Sequence, residues 1–205
     1  MTKLEIEAAL EAPTAAAVMA LPGHLEAVGM SCGGPEQRIV LDHYIDTDDL
    51  AFRAAGWALR VRDLGARKLL GMKALRAAED GLSSREELEE PVAWEGGWNF
   101  PEDALEGRVA RIGGGAPLER LFGVRQDRTQ LHAADEQGLW VEASMDCVRW
   151  EADGEAATAY VAELELREGT PEALRALLER LVAQTGWPTA GWSKYEHGMR
   201  VAGLA

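Results

Sequence analysis

Apolar and polar residues alternate along many short segments of the chain. This alternation is typical of β-strands with one buried face. It is clearest at residues 4–10, 57–62 and 159–166. The same pattern predicts further strands at residues 38–44, 69–75, 85–89, 124–133 and 139–146. The chain is therefore expected to be rich in strands.

Helical periodicity is strong in one place only, residues 171–185, where leucines recur at positions 174, 177, 178 and 181. Thr170 is a good N-cap, Pro171 suits the first turn, and Gly186 suits the position after the helix. The alanine-rich residues 13–27 predict a second helix that Pro22 and Gly23 interrupt. Residues 94–115 are glycine-rich and predict a connection with a short helix near Pro101. We predict one α+β domain over residues 1–205.

Composition narrows the classes of function. No apolar run approaches the roughly 20 residues of a membrane-spanning helix, and no secretory signal is visible, so a cytoplasmic protein is expected. The net charge of −14 disfavours binding to nucleic acid or to anionic membranes. Two lone cysteines and four scattered histidines lack the spacing of a zinc site. A metal ion here should be a hard cation held by oxygen, such as Mg²⁺ or Mn²⁺.

Charged side chains recur on single faces of these otherwise apolar strands. A single such pair usually means a solvated sheet face, but five clusters favour a barrel with a charged interior. Carboxylates there would bind a divalent cation, and arginines and lysines would bind phosphate oxygens. A metal–polyphosphate complex satisfies both sets. The five clusters are Glu5/Glu7, Arg60/Arg62, Arg85/Glu87/Glu89, Glu142/Asp146 and Glu163/Glu165.

Ordered motifs then point to a family. Glu5-Ile6-Glu7 resembles an ExExK signature, and residues 44–62 are similar to a segment of the form Y-x-D-T … G-x-x-L-R-x-R. Residues 141–146, 163–166 and 193–198 follow in the same order as later motifs. Together they resemble the CYTH superfamily of triphosphate tunnel metalloenzymes, in particular its inorganic triphosphatase and thiamine triphosphatase branch.

The resemblance implies an eight-stranded antiparallel β-barrel, a tunnel with helices packed outside, that hydrolyses a small triphosphate with Mg²⁺ or Mn²⁺. It implies Glu5, Glu7, Glu163 and Glu165 as metal ligands. Asp146 would be an additional carboxylate, and Glu87 and Glu89 would position a nucleophilic water or a second metal. Phosphate contacts would come from Arg60, Arg62, Lys73, Arg85, Arg125, Arg128 and Lys194. Arg125 and Arg128 have opposite strand parity, so a bulge is required for both to face the interior.

One departure from the signature leaves alternatives open. Ala9 stands where the family signature has lysine. A lost phosphate donor would cost transition-state stabilisation unless another cation replaces it. Besides the triphosphatase, two hypotheses remain: a lyase resembling class IV adenylyl cyclases, and a polyphosphate- or nucleotide-binding module without turnover. The sequence leaves the oligomeric state open, a homodimer included.

Overall fold

The computed structural model describes residues 2–205, and strands dominate it. The nine strands are β1 (Thr2–Ala12), β2 (Ser31–Cys32), β3 (Glu36–Thr47), β4 (Trp57–Asp63), β5 (Lys68–Ala74), β6 (Leu82–Pro91), β7 (Leu118–Ala134), β8 (Trp140–Ala152) and β9 (Glu155–Glu168). The six helices are α1 (Ala15–Met19), α2 (Leu21–Ala27), α3 (Ala51–Ala54), α4 (Ala104–Gly113), α5 (Pro171–Thr185) and α6 (Lys194–Val201).

Eight of the strands close into an antiparallel barrel. Their order is β7-β3-β4-β5-β6-β1-β9-β8, and β8 pairs back onto β7. The two-residue strand β2 adds to the end of β7. The structure confirms the predicted α+β fold with an eight-stranded antiparallel barrel.

The register of the strands decides which charges share the interior. Glu5 on β1 lies opposite Arg85 on β6, and Lys73 on β5 lies opposite Glu87 on β6. On the other side of the barrel, Arg128 on β7 lies opposite Asp146 on β8. Because directly opposite residues point to the same face of a sheet, acidic and basic side chains alternate around the inner wall.

The apolar faces of the strands lie under the helices, outside the barrel. The leucine stripe of α5 packs with α2 against β1, β8 and β9, and Leu10, Leu174 and Leu181 are fully buried there. Phe52 of α3 and Val109 of α4 cover β4 and β5. The last helix, α6, packs instead on the inner face of β7 and β8, where Phe122, Val148 and Trp150 share the side of Arg128. The packing of α2, α3, α4 and α5 outside the barrel leaves the charged faces turned inward.

Two helical segments follow the sequence prediction, and a third helix was not predicted. Residues 13–27, with their predicted interruption, form α1 and α2, and Pro22, which lacks a backbone N–H, lies in the first turn of α2. The glycine-rich connection contains the predicted short helix, as α4, and its first turn is interrupted by left-handed backbone at residues 105–107. Helix α6 was not predicted. None of the helices formed by residues 2–205 combines the length and apolar character needed to span a bilayer.

Candidate functional site

The barrel encloses a charged cavity that most of the predicted residues line. Its free volume is about 80 Å³, room for only a few water molecules, because long side chains fill most of the interior. Polar neighbours from three elements complete the wall: Tyr44, Ser144 and Tyr195. The charged residues that line the cavity are Glu5, Glu7, Arg60, Arg62, Lys73, Arg85, Arg128, Glu142, Glu163, Glu165 and Lys194.

The carboxylates of β1 are held by cations from β5 and β6. The Lys73 ammonium contacts Oε2 of Glu5 and lies 3.2 Å from Oε1 of Glu7, to which it donates a hydrogen bond. Arg85 also donates to Glu7. Although burial lowers the pKa of Lys73, Glu7 and Glu5 outweigh it and raise that pKa above its usual range. Lys73 therefore stays charged between two acidic side chains.

The carboxylates of β9 differ in their surroundings. Glu163 accepts hydrogen bonds from Arg128 and Lys194, both at 2.7 Å. Burial opposes ionisation of Glu163, but Lys194 and Arg128 hold its pKa well below the usual range. Glu165 pairs instead with Lys3 at 2.6 Å and Arg167 at 2.7 Å. Burial, assisted by the nearby Glu5 carboxylate, raises the pKa of Glu165.

A carboxylate that was not singled out in the sequence, Asp42 on β3, anchors the arginines of β4. Arg62 donates to both of its oxygens, at 2.7 and 2.8 Å, and Gln126 donates at 3.0 Å. The guanidinium of Arg60 lies 3.7 Å away. Burial alone would raise the pKa of Asp42, but Arg62 and Arg60 hold it far below its usual range. Asp42 is thus a buried anion that fixes two cavity cations.

Three residues predicted to act on water or metal face the barrel interior, but they lie behind the cations that line the cavity. Glu87 and Glu89 accept hydrogen bonds from Arg60 at 2.6 and 3.1 Å. Asp146 is fully buried and pairs with Arg128 at 2.6 Å and Lys194 at 3.0 Å. Their oxygens are engaged by the cations between them and the cavity, so they are placed to orient those cations.

Arg125 is the predicted residue that the structure does not bring into the barrel. The β7–β8 pairing runs without a register shift from Gly123 to Ala134, so no bulge brings Arg125 and Arg128 to the same face. Arg125 therefore points outward, where it pairs with Asp127 at 2.8 Å and keeps 47% of its side chain exposed. The expectation that Arg125 faces the barrel interior is wrong.

Lys194 reaches the cavity from the first turn of α6. Two sets of hydrogen bonds hold that turn in place. Ser193 accepts a hydrogen bond from the backbone N–H of Glu196, whose carboxylate accepts one from the N–H of Ser193. The fully buried indole of Trp150 donates to the carbonyl oxygen of Lys194 at 2.8 Å. The Ser-x-x-Glu spacing was the sequence signal for this helix, and it was overlooked.

The Asp46-Thr47 part of the motif has a structural role. The buried Asp46 carboxylate accepts hydrogen bonds from the backbone N–H groups of Thr47, Phe52 and Arg53 at 2.8 to 3.0 Å. It therefore caps the turn from β3 into α3 and leaves Tyr44, two residues earlier, on the cavity wall.

The cavity carboxylates do not converge on one point. Within residues 2–205, no three side chains of histidine, cysteine, aspartate or glutamate stand close enough to form a ready metal site. Oε2 of Glu5 is buried and contacts Lys73 without accepting a hydrogen bond of normal geometry. Ala9, in the place of the signature lysine, lies opposite Glu163 in the β1–β9 register.

Comparisons with known proteins give a family for the chain and similar folds among solved structures. The CYTH domain profile matches residues 3–186. A Hippeastrum protein described as an adenylyl cyclase with a dominant triphosphatase activity shares 22% identity and a TM-score of 0.65, over 96% of this chain and 95% of that one. A Bacillus halodurans protein described as an adenylate cyclase shares 17% identity and a TM-score of 0.63, over 94% and 95% of the two chains. No curated protein sequence matches this chain significantly.

Proposed function

The chain belongs to the CYTH family, and from that premise we propose that it is a metal-dependent hydrolase of a small triphosphate. One observation carries the proposal: six cations and five carboxylates line one cavity inside a closed barrel. A triphosphate bound with a divalent cation offers charge of both signs to such a wall. The triphosphatase activity ascribed to the Hippeastrum protein supports the same reading.

The cations would bind the phosphate chain and stabilise charge on its non-bridging oxygens. Guanidinium groups suit this role because they donate two parallel hydrogen bonds to phosphate oxygens. We assign it to Arg60, Arg62, Lys73, Arg85, Arg128 and Lys194. Because these cations already hold carboxylates in a cavity with little free space, phosphate must replace some of those ion pairs as it enters. Phosphoryl transfer depends mainly on such positioning and charge neutralisation.

The donor chemistry of the wall fits Mg²⁺ or Mn²⁺. The cavity offers carboxylate oxygens and neither histidine nor cysteine among its described lining residues, which suits a hard cation. Glu5, Glu7, Glu163 and Glu165 would hold it. Burial and the nearby Glu5 carboxylate both disfavour the ionised form of Glu165. A positive charge between the two carboxylates would offset these effects. A bound divalent cation supplies neutralisation of phosphate charge and activation of water.

The carboxylates behind the wall would act by positioning. Asp42, Glu87 and Asp146 each fix a cation whose other face lies on the cavity. Removing one of them would displace an arginine or lysine and would not remove a group that touches substrate. We therefore propose positioning roles for these three, and for Glu89 through the same guanidinium of Arg60.

Release of phosphate tests the proposal. The purified protein with Mg²⁺ or Mn²⁺ should release orthophosphate from tripolyphosphate, and chelation of the metal should abolish the release. With ATP, orthophosphate and ADP are expected. Pyrophosphate with cyclic AMP would establish the lyase instead, and metal-dependent binding without any product would establish the binding module.

Two arginines of β7 provide a matched pair for this assay. Arg128→Gln should lower kcat for tripolyphosphate by about 10²- to 10³-fold, the loss typical of a charge-stabilising donor. Arg125→Gln, on the outer face three residues earlier, should leave kcat unchanged. Equal effects from both substitutions would contradict the assignment of the cavity as the site of reaction.

A further inference from the structure

A groove of about 270 Å³ lies beside the charged cavity, between α3, the end of β5 and α6. Three arginines line it, one from each of these places: Arg53 on α3, Arg76 just after β5 and Arg200 on α6. We call it the arginine groove. It meets the charged cavity at Leu75 and Tyr195, which line both, but none of its three arginines lines that cavity. The groove is therefore a separate cluster of cations.

The three arginines have no acidic partners. The chain carries a net charge of −14, yet none of the three forms an ion pair with a carboxylate within residues 2–205. Arg53 donates to a neutral group, the carbonyl oxygen of Leu204, and Arg76 and Arg200 are exposed. By contrast, every cation that lines the charged cavity holds a carboxylate. Uncompensated positive charge in a groove attracts anions.

The acidic side chain in the groove wall, Glu196, is engaged elsewhere. It lies four residues before Arg200 on α6, a spacing at which glutamate and arginine side chains can pair. Its carboxylate instead accepts a hydrogen bond from the backbone N–H of Ser193 at 2.7 Å, as part of the cap of the helix. The cap thus leaves the charge of Arg200 available to a ligand.

Tyr195 provides a second, independent observation. Its side chain is only 6% exposed, and its hydroxyl has no hydrogen-bond partner within residues 2–205. Burial and the Asp46 carboxylate raise the pKa of Tyr195 above its usual range, while Arg53 acts in the opposite direction. The hydroxyl therefore keeps its proton in the field of Arg53. Buried hydroxyls are nearly always hydrogen-bonded, so a free one in this wall indicates a ligand that offers an acceptor oxygen.

We propose that the arginine groove binds a phosphate dianion, independently of the charged cavity. Arg53, Arg76 and Arg200 donate to its oxygens, and the Tyr195 hydroxyl donates one further hydrogen bond. Guanidinium groups suit phosphate because they donate two parallel hydrogen bonds to its oxygens. Donors from three elements and a hydroxyl match the several oxygens of a tetrahedral oxyanion better than the two of a carboxylate. This site goes beyond the proposed hydrolysis and does not depend on it.

An NMR titration of the full chain with orthophosphate tests the proposal. The divalent metal is chelated and the ionic strength is held constant with chloride, so that neither turnover nor screening contributes. The amide of Met199 reports on the groove, and that of Ser144 reports on the charged cavity. The Met199 signal should shift saturably. Arg76→Gln should raise the Kd measured there about tenfold, the loss of one hydrogen bond from a charged group, and Tyr195→Phe should raise it about fivefold.

Arg67→Gln is the matched control. Arg67 directly precedes β5, whereas Arg76 follows the other end of that strand, and both side chains are exposed. The replacement of Arg67 should leave the Kd measured at Met199 unchanged. An equal loss in the two variants would indicate general ionic attraction and would overturn the groove as a site.

Arg128→Gln separates the groove from the charged cavity. It should weaken the response of Ser144 and leave the Kd measured at Met199 unchanged. A parallel loss at Met199 would mean that phosphate reaches the groove only from the charged cavity, which overturns an independent site. The lack of any saturable shift at Met199 in the wild type overturns it as well. Because no step requires turnover, failure of the groove leaves the proposed hydrolysis intact, and failure of hydrolysis leaves the groove intact.

Discussion

On the β3–β4 wall of the barrel the carboxylate lies behind the cations, whereas on the β1–β9 wall the carboxylates face the cavity. Asp42 is 1% exposed and its bonds to Arg62 are bidentate. Glu165 lies in the cavity wall, and its partners Lys3 and Arg167 are the more exposed members of their ion pairs. The two walls carry similar charges, but one is enclosed in protein and the other is open to exchange.

The proposed function requires one barrel to be both rigid and able to bind ions, and the two walls suit these two requirements. A buried ion pair cannot lose one member without leaving an uncompensated charge, so the β3–β4 wall keeps its arginines aimed at the cavity. Glu165, whose partners are more exposed than it is, would exchange an ammonium or guanidinium partner for a metal ion more readily than Asp42 would. Substitutions on the first wall should therefore affect folding, and substitutions on the second should affect metal binding.

The largest effect is expected from Asp42→Asn. This change keeps the shape of the side chain but leaves Arg62 and Arg60 with a neutral neighbour in a buried site. Breaking a buried pair in this way costs about 3–5 kcal/mol in the free energy of unfolding. Denaturant-induced unfolding of the variant and the wild type measures the loss.

Asp127→Asn is the control for that substitution. Asp127 also pairs with an arginine, but on the outer face, with 53% of its side chain exposed. Its replacement should change the free energy of unfolding by less than about 0.5 kcal/mol. If Asp42→Asn loses no more than Asp127→Asn, the β3–β4 wall is not the rigid one.

A smaller effect, on the metal requirement and not on folding stability, is expected from Glu165→Gln. The concentration of Mg²⁺ or Mn²⁺ that gives half-maximal turnover should rise at least tenfold, since even indirect ligand partners contribute that much. The free energy of unfolding at pH 7 should stay the same or rise slightly, because burial and the Glu5 carboxylate disfavour the ionised form of Glu165. Metal titrations of turnover and denaturant unfolding measure the two quantities.

Glu151→Gln provides the comparison for the second wall. Glu151 lies on β8, pairs with Arg149 at 2.9 Å and keeps 57% of its side chain exposed. Its replacement should leave the metal requirement unchanged. A marked loss of stability in Glu165→Gln, with an unchanged metal requirement, would reverse the roles assigned to the two walls.

Strand alternation was enough to predict which charges share a face, but the partners of those charges depend on register. The sequence around Asp42 does not indicate that Arg62, twenty positions later, lies directly opposite. The position of Lys194 in the barrel likewise depends on Trp150, a residue distant in sequence that donates a hydrogen bond to the carbonyl oxygen of Lys194. Arg125 was predicted from motif position against its strand parity, and parity was the better guide. The local sequence pattern thus predicts which face of a strand a side chain lies on. Its partners, and so its role, depend on how the strands pair in the folded protein.

The smallest effect is expected from Ala9→Lys, which adds a cation to the carboxylate wall. Ala9 lies opposite Glu163 in the β1–β9 register. It also lines a cavity of about 200 Å³, which has space for a longer side chain. Because Lys194 already binds Glu163 at 2.7 Å, the new ammonium is expected to add little further charge stabilisation. Turnover of tripolyphosphate should rise about two- to fivefold, corresponding to roughly 0.5–1 kcal/mol. Ala9→Met, of similar length without charge, should not raise it. An unchanged or lower rate in Ala9→Lys, or an equal rise in Ala9→Met, would show that the missing ammonium does not limit turnover.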